Sequence, residues 1–284
     1  MTKVQGNIAE GKEHRAERKK LDEIGGVLIQ EKTPYLIPGF HGVREALAHG
    51  PVRIKEVWIA EGKKPARTEE IIRIAEERKI PIRLRRGSEL SQLLPDIAHQ
   101  GIVALAEKFT YSDVDHLIDI SLKNKDQGLL IAADHITDEG NLGSLIRTAA
   151  FFGVHGLVLP KKRSAAVSAQ VLKRSSGAYV HLPTARVVNL GCALDLLKSK
   201  GFWIIGASVE SRESIYQFDW KRDLVLVLGS EQKGITRTVR ERCHQIVSIP
   251  TSGHVESLNV GVAGGVVLSE IFRQRETPEG THRK

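Results

Sequence analysis

Cysteine is scarce in this chain of 284 residues, since only Cys192 and Cys243 occur. They form no C-x-x-C pair and no cluster with histidines, so a disulfide framework or a structural zinc site is not expected. No apolar run approaches the roughly 18 residues that a membrane span needs, and Met1 precedes no apolar leader segment. These absences predict a soluble, cytoplasmic protein that binds neither a metal nor a membrane.

Two common nucleotide-binding motifs are also missing. No G-x-G-x-x-G follows a candidate strand, which argues against a dinucleotide fold. Residues 229–236 (GSEQKGIT) nearly match a phosphate-binding loop, but Ile235 stands where a lysine must reach the phosphates. Glu231, inside the same loop, would repel a triphosphate. Residues 254–256 (HVE) lack the P-C-x-x-C partner that completes the zinc site of a deaminase.

Positive charge, in contrast, is in excess. The formal net charge is +8, which favours a polyanionic partner such as nucleic acid. Basic clusters lie at residues 63–64, 83–86, 161–163 and 173–174, and are suited to phosphate contacts. A solvated basic face remains the alternative for any single lysine or arginine.

Composition divides the chain into five segments. Residues 1–33 are charged and poor in apolar residues, which predicts a flexible extension or a basic arm that contacts RNA. Residues 34–109 predict a small α/β domain, and residues 110–127, rich in Asp, Ser and Lys, predict a linker. Residues 128–276 alternate short apolar strands with helical patterns, which is typical of a parallel α/β sheet. Residues 277–284 form a tail.

The periodicity also predicts the elements of both domains. In the larger domain, strands are predicted at residues 129–133, 156–159, 203–207, 224–228 and 246–249, and helices near 142–152, 165–174, 190–200, 235–243 and 260–275. In the smaller domain, strands are predicted at 52–60, 80–84 and 102–106, and helices at 43–49 and 69–78. The turn 99–101 (HQG) precedes the last of these strands. His99 there either contacts a partner or is a hydrogen-bonded turn histidine.

A first polar block follows the first strand of the larger domain, at residues 134–149. Asn141 is predicted to be the N-cap of the next helix, and Arg147 falls nearly two turns into that helix. Arg147 could therefore reach back over the strand ends, where ligands bind in open α/β sheets. The alternative is a surface ion pair, worth under about 1 kcal/mol.

Two further blocks, at residues 228–234 and 249–265, lie near the C-terminus. They offer a carboxylate from Glu231, a hydroxyl from Ser257 and an amide from Asn259. Such a set suits a polar cofactor that carries positive rather than phosphate charge. Alternatively, Ser257 and Asn259 cap the last helix, and capping and ligand contact can coexist.

Together the three blocks resemble the motifs of the SpoU/TrmH branch of the SPOUT methyltransferases. The pattern N-L-G-x-x-x-R-T-A matches residues 141–149, L-G-x-E-x-x-G matches 228–234, and I-P followed by S-L-N-V matches 249–250 and 257–260. Three ordered motifs are far more specific than any one of them alone. The resemblance covers residues 36–275, and its front unit resembles the ribosomal-protein-like substrate-binding domain of the branch that methylates ribosomal RNA.

The resemblance implies a fold and a reaction. The fold is α/β: a C-terminal SPOUT domain with a parallel sheet and a deep trefoil knot, preceded by a small α/β substrate-binding domain. The reaction is methylation of a ribose 2′-hydroxyl with S-adenosylmethionine, by a homodimer, on RNA of the large ribosomal subunit. The alternatives are transfer RNA as the substrate, or a catalytically silent RNA-binding protein of the same fold.

The resemblance also implies roles for single residues. Arg147 lies closest to the chemistry; because a guanidinium stays protonated, it would grip the target phosphate and polarise the nucleophile rather than act as a free base. Asn141 would position Arg147 or the ribose, Glu231 would organise the second-motif loop, and Ser257 and Asn259 would fix substrate and loop geometry. The residues expected to bind the cofactor are Ala207, Ser208, Leu228, Gly229, Glu231, Ile249, Pro250, Leu258 and Asn259.

Three positions depart from the family's usual residues. Glu139 replaces a common proline before Asn141, Thr251 replaces a common Met or Leu after Ile-Pro, and Gly261 replaces a common Ser or Ala after S-L-N-V. None of these changes removes a polar catalytic group. The affinity for the cofactor is therefore the property they are expected to affect.

Overall fold

The computed structural model describes residues 35–50, 52–63, 65–123 and 127–276. The charged extension predicted at residues 1–33 and the tail predicted at 277–284 lie outside the described residues. None of the described helices is both long enough and apolar enough to cross a lipid bilayer.

The smaller part of the molecule is built on a four-stranded sheet in the order β1-β4-β2-β3, in which β2 pairs parallel with β3 and antiparallel with β4. Buried Trp58, Leu90 and Val103 form its core, which explains why the sequence shows apolar runs there. Its strands are β1 Tyr35–Pro38, β2 Ile54–Ala60, β3 Ile82–Arg85 and β4 Ile102–Ala106. Its helices are α1 Phe40–His49, α2 Pro65–Glu77 and α3 Gly87–Leu93.

The larger part is built on a six-stranded sheet in the order β10-β8-β9-β5-β6-β7, with every neighbouring pair parallel. All residues of β5 are buried, as expected for a parallel strand covered on both faces. The strands are β5 Leu129–Asp134, β6 Gly156–Pro160, β7 Thr184–Val187, β8 Trp203–Ala207, β9 Leu224–Gly229 and β10 Gln245–Val247. The predicted parallel α/β domain is confirmed, while the trefoil knot remains a prediction.

Six α-helices and one short 3-10 helix are described around this sheet. They are α4 Val114–Lys123, α5 Glu139–Phe151, α6 Ala169–Ser175, the 3-10 helix Ala178–His181, α7 Leu190–Ser199, α8 Arg237–Arg240 and α9 Val260–Glu276. Helix α4 lies within residues 110–127, where only a linker was predicted. Its Leu117 and Ile118 are buried in the core of the larger sheet, whereas its other face is polar, so the short apolar patch gave little signal.

Direct contacts join the two parts. The hydroxyl of Tyr179, in the 3-10 helix, donates a hydrogen bond to the carbonyl of Gly42 in α1 (3.4 Å). Nearby, His181 lies 3.2 Å from the Glu45 carboxylate. Ala169, at the start of α6, packs against the apolar core of the smaller sheet. Helices α1 and α6 therefore hold the smaller sheet against the larger part.

Candidate active site

The carboxyl ends of the two central strands, β5 and β9, lie side by side, with Asp134 opposite Gly229. After Gly229 the chain turns back, and the Gly234 amide donates to the Ser230 carbonyl (2.8 Å). A Cβ on Gly229 would lie 2.1 Å from the Gly234 carbonyl carbon, which no side chain can occupy. Glycine at this position is thus what allows the loop to fold over the strand end and present Glu231.

A hydrogen-bonded cluster forms at this edge of the sheet. Asn141 Nδ2 donates to Glu231 Oε2 (2.7 Å), and Asn259 Nδ2 donates both to Glu231 Oε1 (2.8 Å) and to Asn141 Oδ1 (2.7 Å). The Val260 amide also donates to Glu231 Oε1 (3.3 Å). All of these donors are uncharged, so no described cation neutralises the carboxylate. One residue from each of the three sequence blocks takes part.

Asn259 also caps helix α9. Its Oδ1 accepts from the amides of Gly261 (2.9 Å) and Val262 (3.3 Å), and its carbonyl accepts from Ala263 (2.8 Å). The capping alternative raised by the sequence is therefore correct for Asn259 and wrong for Ser257, whose hydroxyl caps no described helix. Capping does not exclude the cluster: Oδ1 of Asn259 accepts from the helix amides, while Nδ2 donates to Glu231 and Asn141.

The prediction that Asn141 is the N-cap of α5 is wrong. The N-cap is Asp138, whose carboxylate accepts from the Asn141 backbone amide (2.7 Å). Both residues are of types that favour this position, so the sequence could not choose between them. Because Asp138 satisfies the helix end, the Asn141 side chain remains available for the contact with Glu231.

Sequence reasoning missed the buried carboxylate of Asp134. Its side chain is fully buried, and Oδ2 accepts from both the amide (2.6 Å) and the hydroxyl (2.8 Å) of Thr236. These bonds tie the end of β5 to the residue that follows the loop of β9. The signal in the sequence was an aspartate directly after the apolar run 129–133. A carboxylate buried at the end of a strand needs hydrogen-bond donors from elsewhere in the chain.

Arg147 lies apart from this cluster. It is six positions from Asn141, which is a rotation of about 240° around α5. Its Nη1 instead donates to the Ser176 hydroxyl, just beyond α6 (3.3 Å). Helix α6 can approach this closely because Gly143 lacks a side chain: a Cβ there would lie 2.9 Å from the Val171 carbonyl oxygen. Asn141 therefore does not position Arg147 within the chain.

The other predicted cofactor residues lie on the neighbouring strand ends or beyond them. Ala207 at the end of β8 is in register with Leu228, and the Ser208 amide donates to Val247 in β10 (2.9 Å). Ile249 is half-buried, whereas Pro250 and residues 251–259 are exposed. Ser257 lies in that exposed segment, and its hydroxyl makes no hydrogen bond to any described residue; Leu258, also there, is 45% exposed.

Comparison with known families identifies the enzyme family that has this site. Residues 128–269 match the family described as SpoU rRNA Methylase, and residues 36–112 match the one described as RNA 2′-O ribose methyltransferase substrate binding. The chain belongs to the SpoU rRNA methylase family. Membership confirms the predicted class of enzyme, an RNA ribose 2′-O-methyltransferase, and its predicted methyl donor, S-adenosylmethionine.

Individual members of the SpoU family resemble the chain over most of its length. The 23S rRNA (guanosine-2′-O-)-methyltransferase RlmB of Pseudomonas aeruginosa is 38% identical over 237 residues, which cover 84% of this chain and 95% of that protein. The TrmH-family protein YacO of Bacillus subtilis is 35% identical, over 78% and 89% of the two chains. The crystal structure of the SpoU methyltransferase AviRb from Streptomyces viridochromogenes superposes with a TM-score of 0.72 at 26% identity, covering 85% and 90%.

The cluster of Asn141, Glu231 and Asn259 offers a carboxylate that is suited to a positively charged cofactor. Glu231 accepts only from uncharged donors, and no described cation pairs with it, so its charge is available to a sulfonium or an ammonium group. Half-buried Ile249 and exposed Leu258 add apolar surface suited to an adenine ring. Within residues that the structure describes, no three His, Cys, Asp or Glu side chains come together as a metal site.

Proposed function

We propose that the chain methylates a ribose 2′-hydroxyl of large-subunit ribosomal RNA, in the cytoplasm. The observation that carries this proposal is the cluster of Asn141, Glu231 and Asn259, which joins the three family motifs at one sheet edge. Two relatives support ribosomal RNA as the substrate. These are the RlmB proteins of Pseudomonas aeruginosa and Pseudomonas putida, each named as a 23S rRNA methyltransferase. The match of residues 36–112 to a substrate-binding family supports an RNA with an extended recognition surface.

In this proposal the cofactor lies against the ends of β8, β9 and β10. The backbone near Gly229 and Ile249 holds its adenosine and methionine portions, and the apolar side chains of Ala207, Leu228 and Leu258 line the pocket. When bound, S-adenosylmethionine supplies an electrophilic methyl group on a positively charged sulfur. Glu231 faces that charge, and Asn141 and Asn259 fix the two oxygens of Glu231 in place.

Arg147 acts on the RNA side. Transfer forms a bond between the 2′-oxygen and the methyl carbon, breaks the carbon–sulfur bond and releases the hydroxyl proton. The oxygen must therefore be held in line and lose that proton. The Arg147 guanidinium stays protonated, so it grips the phosphate beside the target ribose and polarises the 2′-hydroxyl. The hydroxyl proton passes to that phosphate or to a group coupled to it. Ser257, whose hydroxyl has no partner among the described residues, contacts the substrate.

The active enzyme is a homodimer in this proposal. Arg147 shares a face of α5 with Phe151, four residues on, and Phe151 is 81% exposed. Val262 and Phe272 of α9 are also exposed apolar residues, and the ring of Phe272 lies 6.1 Å from that of Phe152. The rings of Phe151 and Phe272 both lie against that of Phe152, and such a group of exposed apolar side chains is typical of a subunit interface. A second copy seated on it would bring its own Arg147 to the cofactor side of the first.

Mixing two variants of strongly reduced activity tests the shared site. In a heterodimer of Arg147→Ala with Glu231→Gln, one site would hold both intact residues, so random mixing should restore about a quarter of wild-type activity. If each site is built from a single chain, mixing restores nothing and the shared site is wrong. Sedimentation of the wild-type protein supplies the independent check that it is a dimer.

Transfer of labelled methyl from S-adenosylmethionine tests the reaction. The substrates are unmodified transcripts of the large-subunit ribosomal RNA and a pool of unmodified transfer RNAs. Label in ribosomal RNA at a nucleotide that becomes resistant to alkaline cleavage supports the proposal. Label confined to transfer RNA would make the chain a transfer RNA enzyme, and cofactor binding without transfer to any RNA would make it a silent RNA-binding protein.

A further inference from the structure

A cleft of about 610 Å³ lies in the smaller domain, far along the chain from the three methyltransferase motifs. The loop after β2, the start of α3 and the turn 99–101 line it, with Lys63, Ser91 and Gln100 among the lining residues. Its volume is within the range of small-ligand sites. The methyl-transfer mechanism uses none of these residues.

His99 in this cleft is a structural residue. Its Nδ1 accepts from the Gly101 amide (3.0 Å), which leaves Nε2 to carry the proton and donate to the Ser91 hydroxyl (3.1 Å). Burial lowers the pKa of His99, and the positive charges of Lys63 and Lys173 lower it further. The imidazole is therefore neutral. Of the two alternatives that the sequence left open for His99, the structure shows the hydrogen-bonded turn histidine.

The same turn holds Gln100 at the cleft in a strained conformation. Gln100 has φ +54° and Gly101 has φ +74°, so two successive residues adopt the left-handed region. For glutamine this costs roughly 1–2 kcal/mol, and such strain persists mainly where a site needs it. Its side chain is exposed. No described residue makes a hydrogen bond to this side-chain amide, so its donors and its acceptor are presented at the cleft that Lys63 also lines.

Both lysine side chains lie over glycines at one end of the four-stranded sheet. A Cβ on Gly101 would lie 2.4 Å from Lys63 Cε, and a Cβ on Gly39 would lie 2.6 Å from Lys173 Nζ. The two glycines are neighbours in space, since the Gly39 amide donates to the carbonyl of Ile102, next to Gly101 (2.8 Å). Helix α6 of the methyltransferase domain therefore brings Lys173 to the substrate-binding domain.

Neither lysine has an acidic partner among the residues that the structure describes. In the described parts of the chain, the ammonium groups of Lys63 and Lys173 make no ion pair and no hydrogen bond, and Asp96 on the cleft wall pairs with neither of them. Lys173 is half-buried, and this burial lowers its pKa. A half-buried cation whose three donors lack partners is stabilised by an anionic ligand.

We propose that a phosphate of single-stranded RNA binds at the edge of this cleft, between Lys63, which lines it, and Lys173, which lies outside it over Gly39, and that Gln100 contacts the adjoining base. The inference deepens the proposed function, because it locates a second contact with the same RNA and assigns that contact to both domains. Two ammonium groups give affinity without sequence information, whereas an amide can pair with a base edge. The site therefore anchors the substrate while the ribose is methylated elsewhere.

The salt dependence of RNA binding by the full chain tests the phosphate contact. The probe is a fluorescent single-stranded RNA oligonucleotide. In the double variant Lys63→Gln/Lys173→Gln, the slope of log Kd against log salt should fall by about 1.4, since each lost contact to a single strand removes about 0.7. Lys55→Gln, which removes an exposed lysine of β2 outside the cleft, is the matched control and should leave the slope unchanged. Gln100→Ala should keep the slope and alter the preference among homopolymer probes.

Cofactor affinity and thermal melting confirm that the variants are folded. If the double variant melts early, Lys63→Gln alone, at an exposed position, should still lower the slope by about 0.7. An unchanged slope in folded variants would overturn the proposal. The proposed function can be overturned independently of this site. If the wild-type chain transfers no methyl group but its RNA binding still shows the lysine-dependent salt slope, the proposed activity is wrong and the proposed RNA site stands.

Discussion

Asn141 and Glu231, ninety residues apart in the chain, are joined by a hydrogen bond of 2.7 Å from the side-chain amide to Oε2. Asn141 lies in the first turn of α5, and Glu231 lies in the loop that follows β9. Among the described residues, only amides donate to the Glu231 carboxylate, and replacing either Asn141 or Glu231 removes the direct hydrogen bond between the first motif and the second. Several of the expected mutational effects depend on this contact.

Glu231→Gln should disrupt the cluster while preserving its shape. One carboxylate oxygen becomes an amide nitrogen, which then faces a donor from Asn141 or Asn259. Losing a hydrogen bond to a charged group costs about 1.5–3 kcal/mol, so we expect cofactor affinity and kcat/KM to fall about ten- to a hundredfold. Calorimetric titration with S-adenosylmethionine and a methyl-transfer assay measure both. Glu241→Gln, which breaks an exposed ion pair with Arg237, is the control. Wild-type values in Glu231→Gln would contradict the role of the cluster.

Arg147→Ala should lower turnover without lowering cofactor affinity. Arg147 contacts Ser176 and makes no hydrogen bond to the described residues of the Glu231 cluster. We expect kcat to fall at least about a hundredfold, as when one charge-stabilising donor is removed from an active site. Arg147→Lys should recover little of this loss, because an ammonium cannot grip a phosphate through two nitrogens. Arg73→Ala, on the exposed face of α2, serves as the control. Loss of cofactor binding in Arg147→Ala would show that this residue belongs to the cofactor site instead.

Gly229→Ala should abolish the native loop after β9. The added methyl would lie 2.1–2.3 Å from backbone atoms of Gly234 and Ile235, so the loop must move and the Glu231 contacts must break. We expect loss of measurable cofactor binding and destabilisation of roughly 1–3 kcal/mol, seen as a lower Tm. Gly87→Ala, whose Cβ would meet no atom within 4 Å, is the matched glycine control. Unchanged cofactor affinity in Gly229→Ala would contradict the close approach.

Glu45 should make the stability of the chain depend on acid pH. Burial alone would raise the pKa of Glu45, but hydrogen bonds from Arg44 and His181 outweigh it and hold this pKa below its usual value. The contribution of Glu45 is therefore present above the unfolded pKa of about 4.5 and is lost as the pH falls through the folded value. Thermal melting of wild type and Glu45→Gln measures the difference in stability.

That difference should be about 1 kcal/mol or less near pH 5.5, as is usual for a partly exposed ion pair, and should shrink towards pH 3. Glu77→Gln, which breaks an exposed pair with Arg73 within α2, controls for the general effect of acid. A difference that grows on acidification would mean that Glu45 does not stabilise the contact between α1 and the 3-10 helix.

The larger sheet was predictable because its parallel strands are buried on both faces and therefore stand out as apolar runs. All five predicted strands are present, whereas β7 was missed because Thr184 and Arg186 interrupt its apolar pattern. Helix α4 was missed for a related reason: only one side of it is buried, and its polar side resembles a linker. Short elements with a single buried face carry too little periodicity to be recognised.

The residue types of the candidate site were also predictable. The three motifs indicate Asn141, Glu231 and Asn259 as site residues, and the structure brings these three side chains together. Asp134 was missed because no residue near it in the sequence indicates that Thr236, 102 positions away, supplies the hydrogen-bond donors for its carboxylate. The separation of Arg147 from the cluster was equally hidden, because motif spacing says nothing about which face of a helix meets which neighbour.

By itself the sequence determined the class of the protein: the scarcity of cysteine, the positive charge and three ordered motifs suffice for an α/β RNA methyltransferase. Only the tertiary structure decided which side chains touch. Hydrogen bonds between residues ninety or more positions apart depend on strand order, and strand order follows from how buried faces pack rather than from local pattern. It is this packing that joins Asn141 to Glu231 and brings Lys173 of one domain to Gly39 of the other.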